Sequence, residues 1–213
     1  MKKCIFAGIV LAIALLLFAT ALGLGILHTS DFLYRYDVDS LNISGISGLS
    51  KEDILENYSA VMSFLSPFSN EPFDLPSLAY SEAGAFHFEE CRTIFRAVYI
   101  AGAIGLCAAT AVFFAARKKP TYKKTLLVSG IATLAIPAAL LCAVAIDFNK
   151  AFVLFHKLFF NNDYWIFSEK TDPVITILPQ GFFMHCALFI AGLWIVFAAL
   201  QLFAYSVSRS HSK

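Results

Sequence analysis

Four long apolar runs constrain this chain more than any motif in it. The first, Cys4–Leu27, carries 24 residues without a charge. As a slightly tilted helix it crosses a hydrocarbon layer of about 30 Å. Leu126–Ile146 and Phe182–Val207 repeat the pattern, as does Thr93–Ala116 apart from Arg96. Lys2-Lys3 before the first run resembles the start of a signal peptide. The run exceeds the apolar core of about 7–15 residues such a peptide has, and it lacks a clear small-x-small cleavage site. A retained first helix is expected.

With 59% hydrophobic residues and 22 phenylalanines, the 213-residue chain reads as a membrane protein rather than a soluble globule. The net charge of +1 conceals a segregation. All 15 acidic residues fall within Asp31–Glu90 and Asp147–Asp172. Basic clusters stand at Lys2-Lys3, Arg117–Lys124 and Arg209–Lys213. Lys and Arg concentrate on the cytoplasmic side of a membrane. Both termini and the 117–125 hairpin are therefore expected inside, with 28–92 and 147–181 outside.

The expected fold is one all-α membrane domain: four transmembrane helices, at about 4–27, 93–116, 126–146 and 182–207, and two extracytoplasmic caps. Pro137 is expected to kink the third. Minor β structure is expected where Tyr34, Tyr36 and Val38 alternate with Arg35, Asp37 and Asp39, with a turn at Gly45 and Gly48. Ser50-Lys51-Glu52-Asp53 fits a capping box, and Ile54, Leu55, Tyr58, Val61, Met62 and Leu65 follow at amphipathic helical spacing, stopped by Pro67.

Chemistry is expected at Phe152–Trp165, FVLFHKLFFNNDYW. It is too apolar for an ordinary loop and too polar for a spanning helix, a composition suited to the head-group layer. His156 there, and His87 near the start of the second span, are ionisable groups beside a membrane, where such groups suggest function. Glu90, three residues after His87, shares its face if the helix has begun. Asp163 is a candidate partner for His156. Arg92 and Arg96 form a basic ridge that holds a polar substrate group or snorkels. His28 and His211 read as solvated, and His185 as bonded to a neighbour.

The five cysteines lie in or beside apolar runs, without a Cys-x-x-Cys. They read as small hydrophobes, which argues against a disulfide-forming quinone reductase. Gly-x-Ser-x-Gly, a phosphate-binding glycine loop and His-Glu-x-x-His are all missing from the sequence. Neither a metal nor a cofactor is expected, although the His87–His156 pair leaves haem or metal ligation open as a weaker reading.

Two stretches carry a resemblance. LAYSEAGAFHFEECRTIF, Leu78–Phe95, is similar to the F-S-x-x-G/E-x-x-H-x-x-D-V-R stretch of the bacterial lipoprotein intramolecular transacylases. FHKLFFNNDYWIFSEKTDPVITILPQGFF, Phe155–Phe183, matches their second signature densely. Glu90 and Cys91 stand where that pattern has Asp-Val, so the acid is one methylene longer. The four-span layout and the positions of both loops agree along the whole chain.

The resemblance implies an integral enzyme of the bacterial cell membrane, acting at the outer leaflet. Its substrates would be diacylglyceryl-modified lipoproteins in membrane lipid, with no nucleic acid involved. The sn-2 acyl chain of the diacylglyceryl-cysteine would pass to that cysteine's own α-amino group, giving the lyso-form lipoprotein. His87 and His156 would be the acid–base pair, with Glu90 and Asp163 orienting them. Asn161, Asn162 or a backbone N–H would steady the oxyanion, and Trp165 and the phenylalanines would wall the acyl chains. The rival readings are a covalent route through Ser81 or Cys91, and a non-catalytic accessory or sensor protein whose outer caps bind a partner.

Overall fold

The computed structural model describes Lys2–Ser210, and every regular element among those residues is a helix. In order these are α1 (Lys2–Thr29), α2 (Phe32–Ser40), α3 (Ile43–Ser47), α4 (Lys51–Leu65), α5 (Glu82–Ala116), α6 (Tyr122–Phe159), α7 (Val174–Ile177) and α8 (Gln180–Ser210). Lys2–Thr29, Glu82–Ala116, Tyr122–Cys142 and Gln180–Ser208 are long and apolar enough to cross a membrane. The tail residues His211–Lys213 lie outside the described residues.

Two helices outrun their apolar stretches. α5 starts at Glu82, so His87, Glu90 and Arg92 all sit inside it. α6 continues to Phe159, across a break at Asp147 (φ −165°, ψ 95°). The Asp147 carboxylate accepts the Lys150 N–H at 3.0 Å, capping the helical segment that follows. Phe152–Phe159 is therefore helix, and only the residues after it form a loop.

The chain divides into two compact units. The first comprises the stretch through Gly25, Val98–Ala145 and the chain from Leu188. Here small residues let backbones approach: a Cβ on Gly105 of α5 would stand 2.5 Å from the Ala14 carbonyl of α1. Polar groups pair between helices. Gln201 of α8 bonds Ser129 and donates to Thr133 at 3.2 Å, both on α6. Ile13, Ile104, Ile131 and Phe203 are exposed, as side chains solvated by lipid are.

The second unit comprises Ile26–Ala97 and Ile146–Ala187. Its core gathers Tyr34, Ile43, Ile54, Val61, Val174 and Ile177. Tyr34 stacks on Tyr58 at 3.7 Å and donates its hydroxyl to the Ile177 carbonyl at 2.7 Å, tying α2 to α7. Ser50 caps α4 by accepting the Asp53 N–H at 3.1 Å. Gly48 closes α3 at φ +71°, a conformation that favours glycine.

The β reading of Tyr34–Val38 is corrected by α2, and no strand occurs among the described residues. A strand would put Tyr34, Tyr36 and Val38 on one face. Instead Tyr34, Asp37 and Val38, spaced i, i+3 and i+4, are buried, while Tyr36 is 63% exposed. Helical periodicity was present in the same five residues, and the buried Asp37 hid it. That carboxylate is paired at 2.7 Å with His185 Nδ1.

Candidate active site

His87 and His156 come together within the second unit, their ring centroids 5.9 Å apart. Both are buried. His87 also meets Phe160 at 4.6 Å and Phe167 at 5.5 Å, and His156 stacks on Trp165 at 4.7 Å. The pair thus stands in an aromatic enclosure that keeps water away from both rings.

The surroundings of the two rings differ. His156 Nδ1 lies 2.7 Å from the Phe152 carbonyl, one helical turn back. A carbonyl only accepts, so Nδ1 carries the hydrogen and Nε2 of the neutral ring keeps its lone pair. Burial pushes the His156 pKa below 6.5, partly opposed by the bond to Phe152. The charged form of the ring is therefore disfavoured, and in the neutral ring the lone pair lies on Nε2.

His87 faces an acid and a thiol. Its Nδ1 is 4.0 Å from Glu90 Oε2, close enough for charge attraction but too long for a hydrogen bond. Both atoms are buried without a hydrogen-bond partner. Its Nε2 lies 3.4 Å from Cys91 Sγ. Glu90 is itself held from the other loop, where Asn162 donates to Oε1 at 2.9 Å.

Asn162 organises the Phe160–Trp165 turn. Its side-chain oxygen accepts the Tyr164 N–H, and its carbonyl accepts the Trp165 indole N–H, each at 3.0 Å. One residue therefore fixes both the acid beside His87 and the indole against His156. Asn161 and Asp163 are exposed, and the Asp163 carbonyl accepts the Ile166 N–H. His156 takes its orientation from Phe152 and Trp165.

Arg92 and Arg96 are each held by bonds to the chain. Arg92 pairs both oxygens of Glu89 at 2.6 and 2.7 Å, donates to the Glu71 carbonyl and lies over the Phe64 ring. Arg96 donates to the carbonyls of Pro67 and Ser69. Cys91, named from the sequence only as a rival nucleophile, stands one helical turn from His87. Sequence reading missed Phe167 and Asp172, which only the folded loop brings near α5. A cavity of about 340 Å³ is lined by Phe152 and Trp165, the two residues that hold His156, together with Asn149, Val153, Ile175, Pro179 and Gln180. Metal-binding groupings of three or more His, Cys, Asp or Glu do not occur among the described residues.

The model of the family described as “Lipoprotein intramolecular transacylase Lit” matches residues 7–183. The chain belongs to this family. It is 32% identical to the membrane-integral lipoprotein intramolecular transacylase Lit of Bacillus cereus. That enzyme's in meso structure superposes with a TM-score of 0.90, covering 100% of this chain and 99% of that one. Two further structures of the Bacillus cereus enzyme carry a single histidine replaced by arginine or by alanine. Both match at 31% identity and a TM-score of 0.85, over 100% of this chain and 96% and 97% of theirs. No curated protein matches the chain. This transacylase is an enzyme and a multi-pass membrane protein.

Proposed function

We propose that this transacylase moves the sn-2 acyl chain of a diacylglyceryl-cysteine lipoprotein to the same cysteine's α-amino nitrogen. His156 acts as base and His87 as acid. The α-amino group has a reference pKa of about 7.7–8.0 and must lose a proton to attack an ester carbonyl. The neutral amine then attacks, and Nε2 of His156, unprotonated in the tautomer its Phe152 bond imposes, takes the further proton that the nitrogen sheds as it bonds the carbonyl carbon. The ester C–O bond then breaks, and His87 delivers a proton to the departing glyceryl oxygen. Burial and the neighbouring His156 push the His87 pKa down to about 4, so a protonated His87 gives its proton up readily, and Glu90 at 4.0 Å is the carboxylate nearest that charge. An amide replaces an ester, so no second acyl donor and no redox partner is needed.

The observation that carries this reading is the asymmetric environment of two buried imidazoles 5.9 Å apart. One has its tautomer set by a backbone carbonyl, and the other stands beside a carboxylate. Attacker and ester are already tethered in one molecule, so folding the substrate into the enclosure supplies part of the roughly 7–11 kcal/mol available from orientation. The apolar wall of Phe152, Val153 and Ile175 beside His156 suits an acyl chain. The Asn162 amide is committed to Glu90, which leaves Asn161 as the side-chain amide for the oxyanion, a role worth roughly 3 kcal/mol elsewhere. The unit bearing the histidines holds the acid-rich stretches, and the basic clusters lie outside it, so the site faces the outer leaflet.

The test is mass spectrometry of a model lipoprotein's N-terminal peptide from cells making wild type, His87→Ala or His156→Ala at equal membrane levels. Lyso-form product with wild type alone is the expected result. Product with both variants refutes the acid–base pair.

A second reading rests on the 3.4 Å contact between Cys91 Sγ and His87 Nε2. There the thiol takes the acyl chain as a thioester, giving its proton through His87 to the glyceryl oxygen, and the amine then displaces the thiolate. Cys91→Val distinguishes the routes. Direct transfer survives it, whereas the thioester route ends, and wild type would accumulate a hydroxylamine-labile acyl group under single turnover.

A further inference from the structure

Phe68 is the most exposed large apolar side chain among the described residues, at 91%. It stands at the tip of a tight turn in which the Ser69 N–H donates to the Ser66 carbonyl at 3.0 Å, with Pro67 ahead of it. Proline at that position presets the turn backbone. The turn is also clamped from α5. Arg96 donates to the Pro67 carbonyl at 3.2 Å and to the Ser69 carbonyl at 2.6 Å, on either side of Phe68. Arg92 holds the next stretch through the Glu71 carbonyl at 2.9 Å. An apolar ring is thus held out rigidly, with four hydrogen bonds fixing the backbone beneath it.

Helix α5 gives the depth of this turn. The 20 residues Ala97–Ala116 carry no charge and are bounded by Arg96 and Arg117. At about 1.5 Å per residue they span about 30 Å, the thickness of a bilayer's hydrocarbon core. Arg96 therefore marks one boundary of that core. The two carbonyls flanking Phe68 are bonded directly to its guanidinium, so the turn sits at head-group level. Aromatic rings are favoured at that level.

We infer that the Ser66–Ser69 turn is a membrane foot, with the Phe68 ring inserted in the interfacial layer of the bilayer. A protein partner is a poorer occupant. A stable protein contact takes about 800 Å² per side, and one ring flanked by exposed Asn70 and Glu71 presents far less apolar surface. The foot pins the cap loop to the lipid surface through Arg92 and Arg96. This gives the two arginines a task that needs no substrate.

Phe68→Trp in lipid nanodiscs tests this, with the wild-type signal of Trp165 and Trp194 subtracted. Phospholipids brominated at the shallow acyl carbons should quench the added tryptophan, and aqueous iodide should not. Quenching by iodide with no response to brominated lipid overturns the inference. So does protection from iodide that appears only when a diacylglyceryl lipoprotein is added, which would make the turn a substrate contact instead.

Discussion

The carboxylate of Asp172 accepts both the backbone N–H and the hydroxyl of Ser81, at 2.8 and 3.0 Å. Ser81 is the residue that opens α5, and its hydroxyl in turn accepts the Gly84 N–H at 3.0 Å. A buried acid from the second loop therefore sits on the positive end of the helix that carries His87. A Cβ on Gly84 would run into that same carboxylate.

Asp172→Ala leaves the Ser81 N–H without its partner and is expected to cost about 1–3 kcal/mol of stability. Gly84→Ala pushes the carboxylate off the same donors. The double variant should lose less than the sum, because both changes break one contact. Thermal unfolding of the four proteins in detergent completes the cycle, and additive losses would separate the two sites.

His156 should titrate below its ordinary 6.5, because burial penalises the charged ring. The sign for stability follows. With the folded pKa below the unfolded one, the unfolded chain binds the proton more readily, so stability falls as pH drops below 6.5 and stops falling below the folded pKa. Above 6.5 this residue adds no pH dependence. NMR of isotope-labelled histidines, with the resonance assigned through His156→Gln, reads the pKa. Replacing Trp165 with alanine admits water and should move it up.

Glu90→Gln removes the carboxylate nearest His87, whose protonated form burial and His156 already disfavour. At 4.0 Å the coupling is moderate, so a loss of roughly tenfold in rate is expected, against 10²–10⁴ for removing an acid–base residue outright. Asn162→Ala should reproduce part of that loss by releasing Glu90, and should shift Trp165 fluorescence because its indole partner moves. Single-turnover rates with equal substrate loading check both. Unchanged rates would disconnect this carboxylate from the reaction.

Arg92→Ala should destabilise by about 2–3 kcal/mol through lost charge-assisted bonds to Glu89 and Glu71. Arg92→Lys should recover little, since lysine lacks the planar two-pronged donor. KM for the lipoprotein should stay near wild type at a temperature where the variant remains folded. A selective rise in KM would return Arg92 to substrate binding.

Much of the helical framework was legible because lipid imposes it: long apolar runs and segregated charge admit few alternatives. The site was legible only in pieces. Glu90 could be set beside His87 from helical spacing, since both lie in α5. The binding of Asn162 to Glu90 spans 72 residues, and no local periodicity encodes it. Asp163 looked like a partner for His156 because it is the nearest acid in sequence. The ring is held instead by the Phe152 carbonyl, and a main-chain acceptor leaves no trace in residue type. Glu89 was legible as a partner for Arg92 from helical spacing, whereas the Glu71, Pro67 and Ser69 carbonyls that hold Arg92 and Arg96 were not, for the same reason.

The segment of α6 after Asp147 has two faces. His156 is buried on one, while Leu154, Phe155, Leu158 and Phe159 are exposed on the other, at 47–75%. In the proposed reaction the substrate is dissolved in the bilayer, and that second face would meet the same solvent. The quantity that saturates such an enzyme is the substrate's mole fraction among lipids, not its molarity in the tube. Diluting the membrane with inert phospholipid should slow the reaction, and diluting the suspension with buffer should not.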